Sequence, residues 1–339
     1  MFADNQKINK QLSIWLIFMF WLISIMIVVG GLTRLTDSGL SITEWELFSG
    51  SLPPITQDDW VKYFLLYQQI PEFKLQNFSM TMDEFKIIFW WEWIHRFLGR
   101  LIGLCFLIPL IYFSFKIRIK KLLSLYFIFI LICLQGFIGW YMVSSGLVDR
   151  VDVSHFRLSI HLLGAFAILS LIYWNYLRIS YNSISDKTLN KFLPIFLLFL
   201  IFLQITIGAF VSGMDAGTIY NTWPLMGPSY FPDDNKISNL FALSAFNDPS
   251  LVQFIHRNLA YLIIFFYIYI FFKIYRNKLK RLYGPINLIG LFLIIQVILG
   301  IFTLINGAQI YLASMHQISS IFLVSSCIYF LYLNKQVTN

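Results

Sequence analysis

Charged residues are scarce in this chain: they make up 12% of its 339 residues, while hydrophobic residues make up 58% and aromatic residues 19%. So few charges cannot cover the surface of a soluble domain of this length, and we interpret the chain as an integral membrane protein. The formal net charge of +8 is spread over short connections between apolar segments. A nucleic-acid-binding protein is therefore excluded, because such proteins carry a continuous basic surface.

Cysteine is equally scarce, and its positions exclude a disulfide framework. Cys105, Cys133 and Cys327 all lie inside apolar segments, none belongs to a CxxC motif, and none lies in a long polar connection. We interpret the three side chains as small buried hydrophobic groups.

Long apolar runs dominate the rest of the sequence. Eight segments have about the 20 residues that a helix needs to cross a bilayer. A transmembrane barrel would instead need short strands of alternating polarity, so helices are predicted. No small-residue cleavage site follows the first segment, which is therefore predicted to be a retained span. The predicted spans are 13–32, 94–113, 122–143, 158–178, 192–211, 254–273, 284–305 and 313–333.

Lysine and arginine concentrate in every second connection, as in KIRIKK (116–121) and KIYRNKLKR (273–281). The remaining connections hold most of the acidic residues. The positive-inside rule then places both termini in the cytoplasm and the long loops 33–93 and 212–253 on the outer side.

The first outer loop contains an amphipathic stretch, residues 55–91, with Trp60, Tyr63, Phe64 and Tyr67. We expect this stretch to lie on the membrane surface, with the aromatic rings as interfacial anchors. A loop of this length is also typical of lids and binding segments.

Four of the five histidines stand in two similar pairs of sequence contexts. His95 lies in WEWIHRFLGR and His256 in VQFIHRNLAY, whereas His161 lies in SIHLLGA and His316 in SMHQISS. Each is expected in the first turn or so of a span that runs from outside to inside. At about 1.5 Å per residue, all four then lie at a similar shallow depth near the outer face.

The histidines belong to an internal repeat. GGLTRLTDSG (30–39) matches GAFVSGMDAG (208–217), and LQGFIG (134–139) matches IQVILG (295–300). The His-Arg dipeptides also match.

Because four spans return the chain to the same side, the two halves share one orientation. We predict an all-α polytopic membrane protein whose eight helices form two pseudo-symmetric four-helix bundles, residues 1–185 and 186–339.

Two imidazoles per half suit the two axial positions of a heme. Zinc is less suitable, because it usually takes three or four protein ligands. A structural histidine at a helix start stays an alternative for any single position. The recurrence of histidine in four matched positions favours metal ligation, since ionisable residues inside spans are commonly functional.

The repeat breaks at Glu92, three residues before His95, because the second half has Gln253 at that place. A carboxylate on the same helix face as the histidine can exchange protons or stabilise a cation. This predicts that the first half does chemistry and the second half holds a cofactor. The alternative for Glu92 is a first-turn acid that stabilises the helix dipole.

Arg96 and Arg257 directly follow the first histidine of each pair. They are candidates to bind the carboxylates of heme propionates. Snorkelling to the interface is the alternative.

With these motifs in view, the chain resembles the heme A synthase family over about residues 13 to 333. The motifs that carry the resemblance are GGLTRLTDSGLSITEW, WEWIHRFLGR, SIHLLGA, GMDAGTIYNTWPLM, QFIHRN and MHQISS.

The resemblance implies an oxidoreductase acting on a CH group. Such enzymes oxidise the C8 methyl group of heme O to a formyl group by successive hydroxylations, giving heme A for cytochrome oxidase. By similarity, His95 and His161 flank the substrate heme, while His256 and His316 are axial ligands of a heme b cofactor. Glu92 matches the family's acidic residue, which is implied to stabilise a cationic intermediate.

Some members carry a cysteine pair in the first outer loop, where this chain reads SITEWELFSG. It therefore resembles the cysteine-free type of alphaproteobacteria and mitochondria. An N-terminus without an Arg-rich transit peptide favours the bacterial inner membrane, with the heme sites near the periplasmic face.

The competing hypothesis is a non-enzymatic di-heme membrane electron carrier, which would usually place hemes on both sides of the membrane. A transporter is disfavoured because the spans lack midplane breaks. The electron acceptor, the oxygen source and a homo-oligomer are left open, as are complexes with heme O synthase and oxidase assembly factors.

Overall fold

A computed structural model of the chain describes residues 6–46, 49–148, 150–181 and 188–335, and these ranges form helices and loops with no β-sheet. The predicted boundary between residues 185 and 186 lies outside the described ranges. The helices are α1 Gln6–Leu35, α2 Gln57–Tyr67, α3 Pro71–Leu75, α4 Met82–Ser114, α5 Ile119–Gly146, α6 His155–Ser180, α7 Phe192–Gly213, α8 Pro249–Arg276, α9 Tyr283–Ile305 and α10 Ile310–Lys335.

Eight of these helices are long and apolar enough to cross a membrane, which confirms the eight predicted spans. The exceptions are α2 and α3, in the loop between α1 and α4. Large apolar side chains on the outside of the bundles, such as Phe137, Phe265 and Phe272, are more than half exposed. Contact with lipid tails explains these exposed rings, because hydrocarbon solvates them as well as a protein core does.

The helices pack in two rings that follow the chain order. In the first ring α1, α4, α5 and α6 are neighbours, and in the second α7, α8, α9 and α10 are neighbours. The rings meet where α6 packs on α7 and α10, and where α1 packs on α10. The side chains of Phe106, Phe166 and Phe330 are almost fully buried in this interior. The predicted pseudo-symmetry of the two halves stays a prediction.

Helix α4 begins at Met82, well before the expected start of its span at residue 94. A capping box sets this start: the Thr81 side chain accepts from the Glu84 amide, and the Glu84 carboxylate accepts from the Thr81 amide. His95 therefore lies more than three turns into α4, and the expectation of a first-turn histidine is wrong for this helix. Glu92 likewise lies beyond the reach of a helix-dipole effect, which fades within one turn.

Helices α2 and α3 form a small folded cap on the first turns of α4. A second capping box, between Thr56 and Asp59, starts α2. Tyr67 and Phe85 are fully buried in a separate apolar cluster under this cap. The interpretation of Tyr67 as an interfacial anchor is therefore wrong, because its ring belongs to a core and not to the membrane surface. We call residues 57–77 the cap.

Candidate functional site

The structure brings the first predicted histidine pair face to face. The ring centroids of His95 on α4 and His161 on α6 lie 6.4 Å apart, with the ring planes inclined by 73°. Two metal–nitrogen bonds of about 2 Å each, together with the ring radii, give a separation of this order. The first bundle can therefore hold one metal centre between these two imidazoles.

The second pair, His256 on α8 and His316 on α10, lies on two helices of the second ring. The Nδ1 atoms of both rings are buried and lack a hydrogen-bond partner. Buried polar atoms are rarely left in this state unless a missing ligand completes them. The second bundle therefore offers two orphaned imidazole nitrogens, and this donor set fits a bis-histidine heme.

Among the residues that the structure describes, no group of three or more His, Cys, Asp and Glu side chains is placed to hold a metal ion. A structural zinc site is therefore disfavoured in this part of the chain.

Each of the four imidazoles packs against a glycine of a neighbouring helix. A Cβ added at any of these glycines would come within 3.0–3.2 Å of a ring atom, closer than ordinary contact. The glycines therefore let the helix backbone approach the rings and hold them in place. The pairs are Gly30 with His95, Gly139 with His161, Gly208 with His256, and Gly300 with His316.

Glutamines fix the second histidine of each pair. Gln135 donates through Nε2 to the carbonyl oxygen of His161, and its Nε2 also lies 3.1 Å from the ring Nδ1. Gln296 donates to the carbonyl oxygen of His316 at 2.9 Å. A contact with the ring, such as that of Gln135, sets the orientation of a metal-binding imidazole and tunes its basicity, whereas Gln296 holds the backbone of its histidine.

The first histidines of the two pairs, His95 and His256, differ in whether a glutamine contacts them. Gln204 donates to the His256 carbonyl oxygen at 3.0 Å, and its Nε2 lies 3.2 Å from the ring Nε2. The matching position of the first half is Met26, whose Cε lies near Gly99 of α4. A thioether donates no hydrogen bond, so His95 lacks the glutamine contact that His256 has.

Glu92 is almost completely buried, with 2% of its surface exposed. Its Oε2 accepts hydrogen bonds from Ser41 Oγ at 2.7 Å and from the Ile42 amide at 2.8 Å. Its Oε1 accepts from Arg96 Nη2 at 2.6 Å and Nε at 3.0 Å. The carboxylate is thus fixed one helical turn from His95 and holds the loop after α1 against α4.

In the second half, Gln253 stands in place of Glu92 and Arg257 in place of Arg96, so this position carries no carboxylate. Gln253 Nε2 and Arg257 Nη2 both donate to the Tyr220 carbonyl oxygen, at 3.1 and 2.9 Å. Tyr220 matches Ile42 in the predicted repeat, and the Ile42 carbonyl accepts from Arg96 in the same way.

The two arginines predicted to bind propionates hold loop backbone in this structure. Arg96 also donates to the Glu44 carbonyl oxygen and stacks over the Trp45 ring at 5.3 Å. Arg257 donates to the carbonyl oxygens of Thr222 and Leu225, while its Nε is buried without a partner. Propionate binding by either arginine stays a prediction.

Sequence reasoning missed the three glutamines and the four contact glycines. Gln135 and Gln296 stand in the repeated LQGFIG and IQVILG motifs, so a signal was present, but it was used only to align the halves. Ser41 carried no signal, because its contact with Glu92 depends on how the loop folds back onto α4.

The chain is similar to known proteins over nearly its whole length. The family model described as cytochrome oxidase assembly protein, COX15-CtaA, matches residues 13–328. The heme A synthase of Pelagibacter ubique is 50% identical over 99% of this chain and 100% of that protein. The heme A synthase of Rickettsia bellii is 40% identical over 95% of this chain and 97% of that protein. That of Flavobacterium johnsoniae is 39% identical over 96% and 98%.

Proposed function

The chain belongs to the COX15-CtaA family of cytochrome oxidase assembly proteins, and from this premise we propose that it is a heme A synthase. In this proposal it oxidises the C8 methyl group of heme O to a formyl group by successive hydroxylations. Heme O is the substrate, heme A is the product, and heme b is the resident cofactor.

One observation supports this function above the others: each bundle has one histidine pair between its helices, and among the described residues Glu92 stands one turn before the first pair where Gln253 stands before the second. His95 and His161 would hold the substrate heme, with their centroids 6.4 Å apart. His256 and His316 would hold heme b, and their buried Nδ1 atoms, which lack a hydrogen-bond partner, support this assignment. When bound, heme b supplies a one-electron redox centre.

The surroundings of the histidines support the same division. A cofactor must stay bound, and the second half secures both of its histidines through Gln204 and Gln296. A substrate must leave as product, and the first half secures only His161 in this way, through Gln135. Weaker fixation of His95 favours exchange of the heme bound there.

Glu92 would provide the charge that the reaction needs. Oxidation of a methyl carbon on a porphyrin develops positive charge there and releases protons. A carboxylate held by Ser41, Ile42 and Arg96 does not have to reorganise to stabilise that charge, which is the main source of electrostatic catalysis. Gln253 carries no charge, so the second half lacks this capacity.

The protein is a multi-pass membrane protein, and we assign it to the bacterial inner membrane with both termini in the cytoplasm. The histidines then lie in the half of the membrane nearer the periplasm. A separate electron acceptor is required, because the oxidation removes electrons from heme O.

A mass-resolved heme extract tests the proposal. The chain and a Glu92→Gln variant are expressed in a host that makes heme O but no heme A, with a competent redox partner. Glu44→Gln, an exposed carboxylate of the same loop, is the control. We expect wild type and control to yield a heme that has gained one oxygen and lost two hydrogens relative to heme O. We expect Glu92→Gln to stop at heme O or at the hydroxylated stage.

Unchanged heme O beside co-purified heme b in the wild type would contradict the proposal and favour the di-heme electron carrier.

A further inference from the structure

A glutamine of the second half reaches across to the first half. Gln317 on α10 directly follows His316, and its Nε2 donates to the carbonyl oxygen of Ile27 on α1 at 2.9 Å. Ile27 is 3% exposed, so this hydrogen bond lies in the apolar interior where α1 packs on α10. The side chain beside a histidine of the second pair therefore holds a helix of the first bundle.

Two adjacent glycines of α1 connect this contact to the first pair. A Cβ at Gly31 would lie 1.6 Å from Gln317 Oε1, so any side chain there would displace the amide. A Cβ at Gly30 would lie 3.1 Å from His95 Nε2. Successive residues of a helix point about 100° apart. Helix α1 can therefore contact Gln317 with one glycine and the His95 ring with the other.

These contacts form one short path between the two histidine pairs. The path starts at His316 and passes to the neighbouring side chain of Gln317, which contacts Gly31. One peptide bond separates Gly31 from Gly30, which lies against His95. Each step is a covalent bond or a direct contact. A shift at the start of α10 is therefore passed to the backbone beside the His95 ring.

Packing alone does not require a glutamine at position 317. In the predicted repeat, Gln317 matches Leu162 of α6, and Gly31 matches Ala209 of α7. Helices α6 and α7 pack together with these apolar side chains. An amide among apolar groups is costly unless it is hydrogen-bonded, and leucine cannot donate such a bond. The contact between α1 and α10 thus has a polar link that Leu162 cannot form between α6 and α7.

We propose that Gln317 is a positioning residue of the substrate site, although it belongs to the cofactor half. His316, once it binds heme b, fixes the start of α10, and Gln317 then holds α1 where Gly30 lies against the His95 ring. Because this ordering is already in place, substrate heme binds more tightly when the cofactor is present. The inference rests on the proposed function, since it takes the first pair as the substrate site and the second as the heme b site.

This coupling suits the proposed reaction. Oxidation of heme O needs a redox centre that removes electrons, and a chain without heme b cannot supply it. Weak substrate binding in that state keeps heme O available to chains that can oxidise it.

Heme O titration of the purified full-length protein, with and without the cofactor, tests the inference. The cofactor-bearing form is loaded with one heme b per chain, and the cofactor-free form is the double variant His256→Ala/His316→Ala. In both forms, added heme O binds at the first pair. Optical titration gives the affinity, and electron paramagnetic resonance of the ferric heme reports how His95 and His161 are oriented on the iron.

Both forms are also made with each of three further substitutions. Gln317→Met keeps the length of the side chain but removes the donor, and Gly31→Ala displaces the amide from the α1 side. The control Ser325→Ala removes a hydroxyl that bonds within α10, to the Ile321 carbonyl oxygen at 2.7 Å. The melting temperature of each protein shows whether it is folded.

We expect loss of heme b to weaken heme O binding about fivefold or more in the wild type and in the control Ser325→Ala. In Gln317→Met and Gly31→Ala, heme O binding should be weak in both forms and independent of heme b. The resonance of the heme at the first pair should broaden in these two variants, because the His95 ring is no longer held in one orientation.

The reciprocal measurement needs no histidine variant. Heme O at the first pair must raise the affinity of the second pair for heme b by the same factor, and Gln317→Met should abolish this rise. A wild type whose heme O affinity does not change with heme b would overturn the inference, as would an unchanged heme b dependence in Gln317→Met. Heme O that binds at the first pair and is never oxidised overturns the proposed function, whereas loss of the coupling alone overturns only this inference.

Discussion

Gln204 is the residue that most clearly separates the two histidine pairs. It contacts both the backbone and the ring of His256, whereas Met26 stands at the matching place in the first half. A hydrogen bond from a neighbouring side chain commonly changes metal affinity by about 10–100-fold. The difference between one glutamine and one methionine is therefore large enough to separate a retained cofactor from an exchangeable substrate.

Exchange of these two residues tests this reading. We expect Gln204→Met to lower heme b affinity about 10–100-fold, measured as heme retained per chain after purification. Met26→Gln should slow the loss of heme from the first half. Equal heme retention in Gln204→Met and the wild type would show that Gln204 does not secure the cofactor.

Burial raises the pKa of Glu72, which lies on α3 in the cap, and this predicts how the stability of the protein depends on pH. The pKa rises from 4.5 to about 8 on folding, so the contribution of Glu72 is fully present below pH 4.5 and is lost as the pH rises through 8. Stability of the wild type should fall in this range by at most about 1.4 kcal/mol per pH unit.

Glu72→Gln removes this dependence, so its melting temperature should exceed that of the wild type by a margin that widens from pH 5 to pH 8. Thermal unfolding followed by circular dichroism measures this margin. The control is Asp58→Asn, which removes an exposed acid of the same cap and should follow the wild type. Parallel curves for Glu72→Gln and the wild type would contradict the predicted pKa.

At the scale of helices, hydropathy predicted all eight spans because lipid-facing helices must be apolar along their whole length. Hydropathy could not predict where α4 begins, because its first turns are covered by the cap and not by lipid. The capping box between Thr81 and Glu84 sets the start of α4. The burial of Tyr67 was missed for the same reason, since it depends on α2 folding back onto α4.

The contact glycines give a prediction at this scale, and α5 supplies its own control. A Cβ at Gly139 would lie 3.0 Å from the His161 ring, whereas a Cβ at Gly136 on the same helix meets nothing within 4 Å. Gly139→Ala should displace His161 and weaken heme binding in the first half. Gly136→Ala should leave it unchanged, and heme O titration of the two variants measures the difference. Equal binding would show that the close approach at Gly139 is not needed.

A buried guanidinium joins the two bundles at their loop-bearing end. Arg34 at the end of α1 is paired with Asp37 and with Asp215 of the second half, the latter at 2.9 Å. Both aspartates are about two-thirds exposed, so solvent screening reduces the strength of each pair. The sequence could not show this contact, because the partners are 181 residues apart.

Arg34→Met should lower the melting temperature of the protein, because two carboxylates lose their shared partner where the halves meet. Lys86→Met, which breaks an exposed pair within α4, should have little effect. If the two variants melt at the same temperature, the bundles do not depend on Arg34 for their association.

For the whole molecule, the central claim is that the first bundle holds the substrate and the second holds the cofactor. The most direct test is to identify the hemes that remain bound when either histidine pair is removed. We predict that the double variant His95→Ala/His161→Ala retains heme b and no heme O, and that His256→Ala/His316→Ala loses heme b. Loss of heme b from the first variant, with its retention in the second, would contradict the account.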